Sequence, residues 1–219
     1  MSGAFDPDYE DLPARLPVFP LTGVLLLPRG RLPLNIFEPR YLAMTQHALG
    51  AGRMIGMIQP QEAAGDAGDP PLYRTGCMGR IIEFRETEDG RFLISLLGTI
   101  RFDIATELPR HELFRSVAPD WSRWRGDLAE REPALDRDRL MAALKPYFRR
   151  HGINGDFSAI EKAPPAHLLT SLAMLCPFAP REKQALLEAV DPDTRADLLI
   201  TLIEMSAHAP PGGGEAPRH

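Results

Sequence analysis

Apolar residues follow a period of two through the first half of the chain and a helical period through the second. Leu16-Pro17-Val18-Phe19 leads into a Pro-Leu-Thr-Gly turn and a short apolar run, Val24 to Leu27, which Pro28-Arg29-Gly30 breaks. Leu32, Leu34 and Ile36 then alternate with Pro33, Asn35 and Phe37, the signature of a strand. Pro28 and Pro33 point to an edge or bulged position. One helix interrupts this region: Tyr41, Met44, Thr45, Ala48 and Leu49 fall on one helical face, with Pro39 in the first turn and Gly50 or Gly52 at the end. Arg53 to Gln59 reads as strand again, and Pro60 to Pro71 as a flexible acidic loop. Gly79 to Thr87 and Arg91 to Leu97 flank Glu88-Asp89-Gly90, a strong hairpin signal. Ile100, Phe102 and Ile104 alternate in a further strand, with Gly98 expected at a bulge or a positive φ. Phe114 to Ala118 gives one more. Several short strands with one inserted helix predict a small, partly closed barrel.

The pattern changes at Trp121 to Pro133, which reads as a charged linker. Beyond it the period is helical. Asp136 is placed to cap a helix carrying Leu140, Leu144, Tyr147 and Phe148 and ending near Gly152, with Pro146 predicting a kink or late restart. Phe157 to Lys162 reads as a short helix. Leu168, Leu169, Leu172 and Cys176 line another, stopped by Pro177. Pro180 starts the next, with Leu186, Leu187 and Val190 on its face. Asp193 is expected to cap the last, which buries Leu198, Leu199, Leu202 and Ile203. Residues 210–219 form a Gly/Pro tail. The predicted class is α+β: a flexible N-terminus at 1–14, a β lobe at 15–124, a helical lobe at 125–207 and a disordered tail at 208–219.

Composition narrows the chemistry. Of 219 residues, 44% are hydrophobic, enough for a sizeable core. The formal net charge of -5 disfavours general attraction to a polyphosphate backbone. The N-terminal stretch has no basic and apolar signal pattern, and no apolar run is long enough to span a bilayer, so the expected location is the cytoplasm. Cys77 and Cys176 form neither a C-x-x-C pair nor a disulfide framework and read as buried reduced thiols. The lysines are Lys145, Lys162 and Lys183, and none follows a glycine, which rules out a P-loop. No serine sits in G-x-S-x-G. His111-Glu112 begins like a zinc helix, but Arg115 stands where the second histidine is needed. Asp89 is accounted for by its turn and Asp103 by a strand face. No catalytic, cofactor-binding or metal-binding residue is expected.

Leu16-Pro17-Val18-Phe19-Pro20-Leu21, then Leu32-Pro33-Leu34-Asn35-Ile36-Phe37-Glu38-Pro39-Arg40-Tyr41, resembles the Lon N-terminal (substrate-binding) domain family. Gly79-Arg80-Ile81-Ile82, Asp89-Gly90-Arg91-Phe92, Gly98, Arg101-Phe102, Pro177-Phe178, Lys183 to Ala189 and Arg195 add to the match, in order, from about residue 16 to 205. The resemblance implies a PUA-like β pseudo-barrel lobe with one inserted helix, followed by an α-helical bundle lobe. In the full protease this domain helps capture damaged or unfolded substrates. The AAA+ and peptidase modules are not found here, and Phe37-Glu38-Pro39-Arg40-Tyr41 looks like a stand-alone bacterial branch of the family.

The expected function is therefore non-enzymatic: a module that binds a protein or unfolded polypeptide in protein quality control, without cofactor, nucleic acid or membrane. The candidate binding residues are Phe37, Glu38, Arg40 and Tyr41, where a strand passes into a helix. A carboxylate at Glu38 suits a helix start, Arg40 offers a planar donor group for a peptide carbonyl or carboxylate, and Phe37 or Tyr41 offers apolar surface. The competing reading is that Tyr41 is buried and Glu38–Arg40 fixes the corner. Arg101 is expected to pair with a carboxylate on a neighbouring strand. Trp121 and Trp124 are expected either to seal the junction between lobes or to form an aromatic contact site. Two other functions stay open: RNA binding through the β lobe, using Arg74, Arg80, Arg85 or Arg91, and a small-molecule or enzymatic pocket between the lobes.

Overall fold

The structure is a computed structural model that describes residues 7–61, 69–110 and 113–208. The tail at 210–219, most of the predicted acidic loop, and His111-Glu112 lie outside the described residues. Six strands form one sheet: β1 (Leu16–Pro20), β2 (Arg31–Ile36), β3 (Met54–Ile58), β4 (Thr75–Glu86), β5 (Phe92–Glu107) and β6 (Arg115–Asp120). The order is β2-β5-β4-β3-β1-β6, with an additional β5–β6 pairing. That pairing closes β1, β3, β4, β5 and β6 into a ring and leaves β2 as a flap on the first half of β5. The fold is α+β.

Strand β5 makes this arrangement possible by its length. One of its edges pairs with β4 from Phe92 to Asp103. Its other edge pairs first with β2 and then with β6. Sequence spacing suggested two strands broken at Gly98; the structure shows one, with Met78 opposite Ile100 and Gly79 opposite Gly98, so that Thr99 is the extra residue of a bulge. Gly98 is required by crowding and not by a positive φ. Its amide donates to Gly30 O at 2.9 Å, its carbonyl accepts from Arg29 N at 2.8 Å, and a Cβ there would stand 2.0 Å from Leu27 O. The predicted run Val24 to Leu27 is thus not a strand. It is a segment laid across β5, with Leu25, Leu26 and Leu27 buried.

The two parallel strands β1 and β3 need a crossover. Helix α1 (Pro39–Gly50) supplies it, starting with Pro39 and burying Tyr41, Met44, Thr45 and Ala48. One core cluster of the sheet gathers Leu16, Val18, Ile58, Met78, Ile100, Phe102, Val117 and Trp124.

The predicted linker after β6 is structured. Ser122–Leu128 forms a 3-10 helix against β5. Trp124 is 1% exposed, and its indole N–H donates to Asp103 Oδ1 at 3.1 Å. Arg101, expected to pair with a carboxylate on a neighbouring strand, clasps one on the 3-10 helix instead. Its guanidinium binds Asp127 on the 3-10 helix at 2.8 and 2.7 Å, donates to Leu187 O at 2.8 Å, and lies 3.8 Å over the Trp124 ring.

Tertiary contacts divide the chain into two units, Met1–Arg131 with Thr170–Glu188, and Glu132–Leu169 with Ala189–His219. Periodicity alone grouped the segment 170–188 with the other helices, but it packs in the unit of the sheet. It holds the end of α4 (Pro165–Leu175) and all of α5 (Pro180–Glu188). Helix α5 is bound by polar side chains. Gln184 Nε2 donates to Thr75 O at 3.1 Å, Gln59 Nε2 to Pro180 O at 3.0 Å and Gln184 Oε1 at 3.1 Å, and Lys183 Nζ to Gly23 O at 2.8 Å. Burial pushes the Lys183 ammonium below its usual range. Val190, expected on this helix face, lies beyond its end and is exposed.

The second unit contains α2 (Arg137–His151), α3 (Phe157–Lys162), the start of α4, and α6 (Pro192–His208). Asp136 caps α2 by accepting from Arg139 N, and Gly152 ends it in the left-handed region at φ 62°. Pro146 does not break the helix, whose buried stripe of Leu140, Leu144, Tyr147 and Phe148 spans it. Arg137 donates to the carbonyls of Ile160, Glu161 and Ala163, satisfying the end of α3. Asp191, not Asp193, caps α6, accepting from Thr194 N at 2.8 Å. Asp193 instead accepts from Ala134 N. The buried face of α6 is Ala196, Leu199, Ile200 and Ile203, rotated from the expected one, so that Leu198 and Leu202 are half-buried.

Two stability predictions follow from this geometry. Gly98→Ala is expected to cost about 2–3 kcal/mol in urea denaturation, because a backbone oxygen blocks the added carbon. Gly126→Ala, where nothing lies within 4 Å, should change stability by less than about 0.5 kcal/mol. Asp127→Ala is expected to cost about 3–5 kcal/mol by leaving the buried Arg101 guanidinium without its carboxylate, and Arg101→Met with Asp127→Leu should recover much of that loss. A cost under about 1 kcal/mol for Asp127→Ala would contradict this account.

Candidate functional site

The corner between β2 and α1 places the four candidate residues in succession, in different settings. Phe37 follows the strand and is 61% exposed, with the Arg91 guanidinium 6.0 Å from its ring centre. Glu38 occupies the N-cap position but caps nothing with its side chain. Its carboxylate instead accepts from Arg40 Nε at 3.0 Å and pairs with the second guanidinium nitrogen at 2.8 Å. The Arg40 guanidinium also lies 4.5 Å over the Tyr41 ring. Tyr41 is buried, with its ring 4.1 Å from Phe19 and its hydroxyl donating weakly to Pro20 O at 3.5 Å. Loss of solvation raises the Tyr41 phenol above its usual range, and the Arg40 charge opposes that rise. The corner thus has an exposed apolar tip, an ion pair and an aromatic base.

The side chains of Arg40 and Tyr41 form one wall of a cleft of about 90 Å³. The remaining walls come from Pro20 at the end of β1, from Pro60, Asp69 and Pro70, and from Arg110, Leu113, Phe114 and Arg115 ahead of and within β6. Arg115 is 8% exposed, clamps both oxygens of Glu107 at 2.7 Å, and donates to Pro70 O at 2.7 Å. Arg110 pairs with Asp69. Phe114 is buried against the His47 ring, and Leu113 is exposed. Sequence periodicity found one wall of this cleft and missed the others. Only Arg115 carried a signal: a charge at an inward position of the strand Phe114 to Ala118 marks a buried arginine that needs a carboxylate.

The other sequence candidates are accounted for locally. Arg74 lies 3.8 Å from Asp103, and Arg91 pairs with Asp89 at 2.8 Å. Arg80 and Arg85 sit within β4, interleaved with Glu83 and Glu86. Arg74 stands just before the 12-residue β4 and Arg91 just past the hairpin turn at its far end, so the two ends of the set are roughly 40 Å apart along an extended strand and do not form one patch. Trp124 belongs to the core around β5, with Trp121 packed against that core. Cys77 and Cys176 are both buried. Among the described residues, no helix is long and apolar enough to cross a membrane.

Comparison with known proteins places this geometry in a family. A model described as the ATP-dependent protease La (LON) substrate-binding domain matches residues 15–205. The chain is 26% identical over 210 residues to a Lon protease of Elusimicrobium minutum, covering 90% of this chain and 24% of that protein. It is 27% identical over 213 residues to Lon protease 2 of Myxococcus xanthus, covering 89% and 24%. The chain therefore spans about a quarter of the length of these relatives. Among solved structures it resembles a Lon N-terminal domain protein from Xanthomonas campestris, with a TM-score of 0.61 and 24% identity over 85% of this chain and 97% of the other. It also resembles the N-terminal domain of the Mycobacterium avium complex Lon protease, with a TM-score of 0.61 and 17% identity over 86% and 97%. These structures share the fold. With its family model running through both units, the chain belongs to the LON substrate-binding domain family.

Proposed function

We propose that this protein is a non-catalytic module that binds exposed polypeptide, and that the corner from Phe37 to Tyr41 is where it does so. The observation that carries this reading is Phe37, a large aromatic side chain 61% exposed at the junction of a strand and a helix, three residues ahead of the cleft-lining Arg40. A folded chain gains nothing by leaving a phenylalanine in water, whereas an unfolded segment with its own apolar side chains gains by covering it. Membership of a substrate-binding family supports polypeptide as the ligand. No Gly-Lys-Ser/Thr stretch is present in this sequence, which supports recognition and not nucleotide turnover as the role of the module. The cleft is also much smaller than the roughly 300–1,000 Å³ of a typical small-molecule site.

Titration of a fluorescently labelled, permanently unfolded polypeptide, followed by anisotropy, tests the proposal. The protein is expected to bind it saturably. Phe37→Ala is expected to weaken binding by roughly tenfold, since burying a phenylalanine is worth about 1.5–3 kcal/mol and a little over half of this ring is available. The melting temperature should stay unchanged, because the ring packs little in the free protein. No saturable binding, or Phe37→Ala binding as tightly as the parent, would sink the assignment.

A further inference from the structure

We propose that the cleft beside the corner is a carboxylate receptor, in which Arg40 and Arg110 engage a carboxylate carried by the bound polypeptide. The inference rests on the polypeptide-binding reading and adds the chemistry of one contact.

Three guanidinium groups and one carboxylate line the cleft: Arg40, Arg110 and Arg115 against Asp69. They differ in how firmly they are held. Arg115 is buried and locked by both oxygens of Glu107 and by Pro70 O, so it is a fixed wall. Arg40 and Arg110 are 48% and 46% exposed, and their partners Glu38 and Asp69 are 43% and 37% exposed. Exposed ion pairs of this kind contribute little net stability and exchange partners readily. Each of these pairs uses one carboxylate oxygen only, so a ligand carboxylate can replace Glu38 or Asp69 and offer a planar guanidinium both of its oxygens.

The walls favour the exchange. Pro20, Pro60, Pro70, Tyr41 and Phe114 line the cleft beside the arginines, and a ligand that settles among them and displaces water strengthens the charge-assisted hydrogen bond it forms there. The space, about 90 Å³, admits a carboxylate with the methylenes that carry it. The net charge of -5 gives acidic ligands no long-range attraction, so selection must come from these short contacts.

Two sources carry this group, an acidic side chain within the segment and the terminal carboxylate of a chain. Both are tested with the full chain and three labelled peptides of one extended apolar sequence. The first has glutamine in the middle and an amidated end. The second replaces the glutamine by glutamate, and the third frees the terminal carboxylate. At least one charged peptide is expected to bind about tenfold tighter than the neutral one. The peptide that gains identifies the source. In Arg110→Gln the ratio of charged to neutral affinity should fall towards one. Equal binding of all three peptides, or a gain that persists in the Arg40→Gln, Arg110→Gln double variant, overturns the receptor. If the neutral peptide still binds in a manner weakened by Phe37→Ala, only the carboxylate inference has failed. If no peptide binds, both readings fail together.

Discussion

The sheet unit is organised around a charge it has taken out of water. Arg101 is 2% exposed, and a guanidinium so deeply buried has to have its donors and its charge satisfied within the protein. Asp127 meets the charge, a carbonyl of α5 takes another donor, and the Trp124 ring covers the face. These contacts tie together β5, the 3-10 helix at 122–128 and the end of α5, which are separated by 26 and 86 positions in the chain. Apolar packing alone would tolerate small shifts between these parts. A desolvated bidentate pair does not, and it fixes their register with the strand that closes the barrel.

Polar burial continues along α5. Gln59, Gln184 and Lys183 are almost fully enclosed, and their donors reach the carbonyls of Thr75, Pro180 and Gly23. This explains why residues 170–188 pack with the sheet although their periodicity resembles that of the other helices. Hydrophobic periodicity reports which face of a helix is covered, but not what covers it. Here the specific information lies in polar side chains, and a glutamine or lysine on a helix ordinarily reads as solvent-facing.

The same distinction separates what the sequence made legible from what it did not. Local features read well: the helix at Tyr41 to Leu49, the hairpin around Glu88-Asp89-Gly90, the cap at Asp136 and the stop at Gly152 all depend on neighbours within a few residues. The errors share a non-local cause. Gly98 was recognised as special, but the reason, the passage of residues 24–30 across β5, comes from some seventy positions away. Asp191 and Asp193 are equally good caps by type, and only the tertiary bond from Ala134 N to Asp193 separates them. The corner from Phe37 to Tyr41 could be found because strand period gives way to helix period there. The cleft beside it is assembled from three further stretches of chain and has no signature in any one of them.

The amide of Gly98 donates to Gly30 O, and this bond sets the phase of β2 against β5. In an antiparallel ladder the groups of successive residues turn alternately towards the partner and away from it. Leu32, Leu34 and Ile36 therefore face β5, while Arg31, Pro33 and Asn35 point outwards from the last strand of the sheet. Pro33 has no N–H, so the middle rung of that free border is missing. The sheet thus ends on an interrupted template, which discourages neighbouring copies from stacking onto it strand by strand.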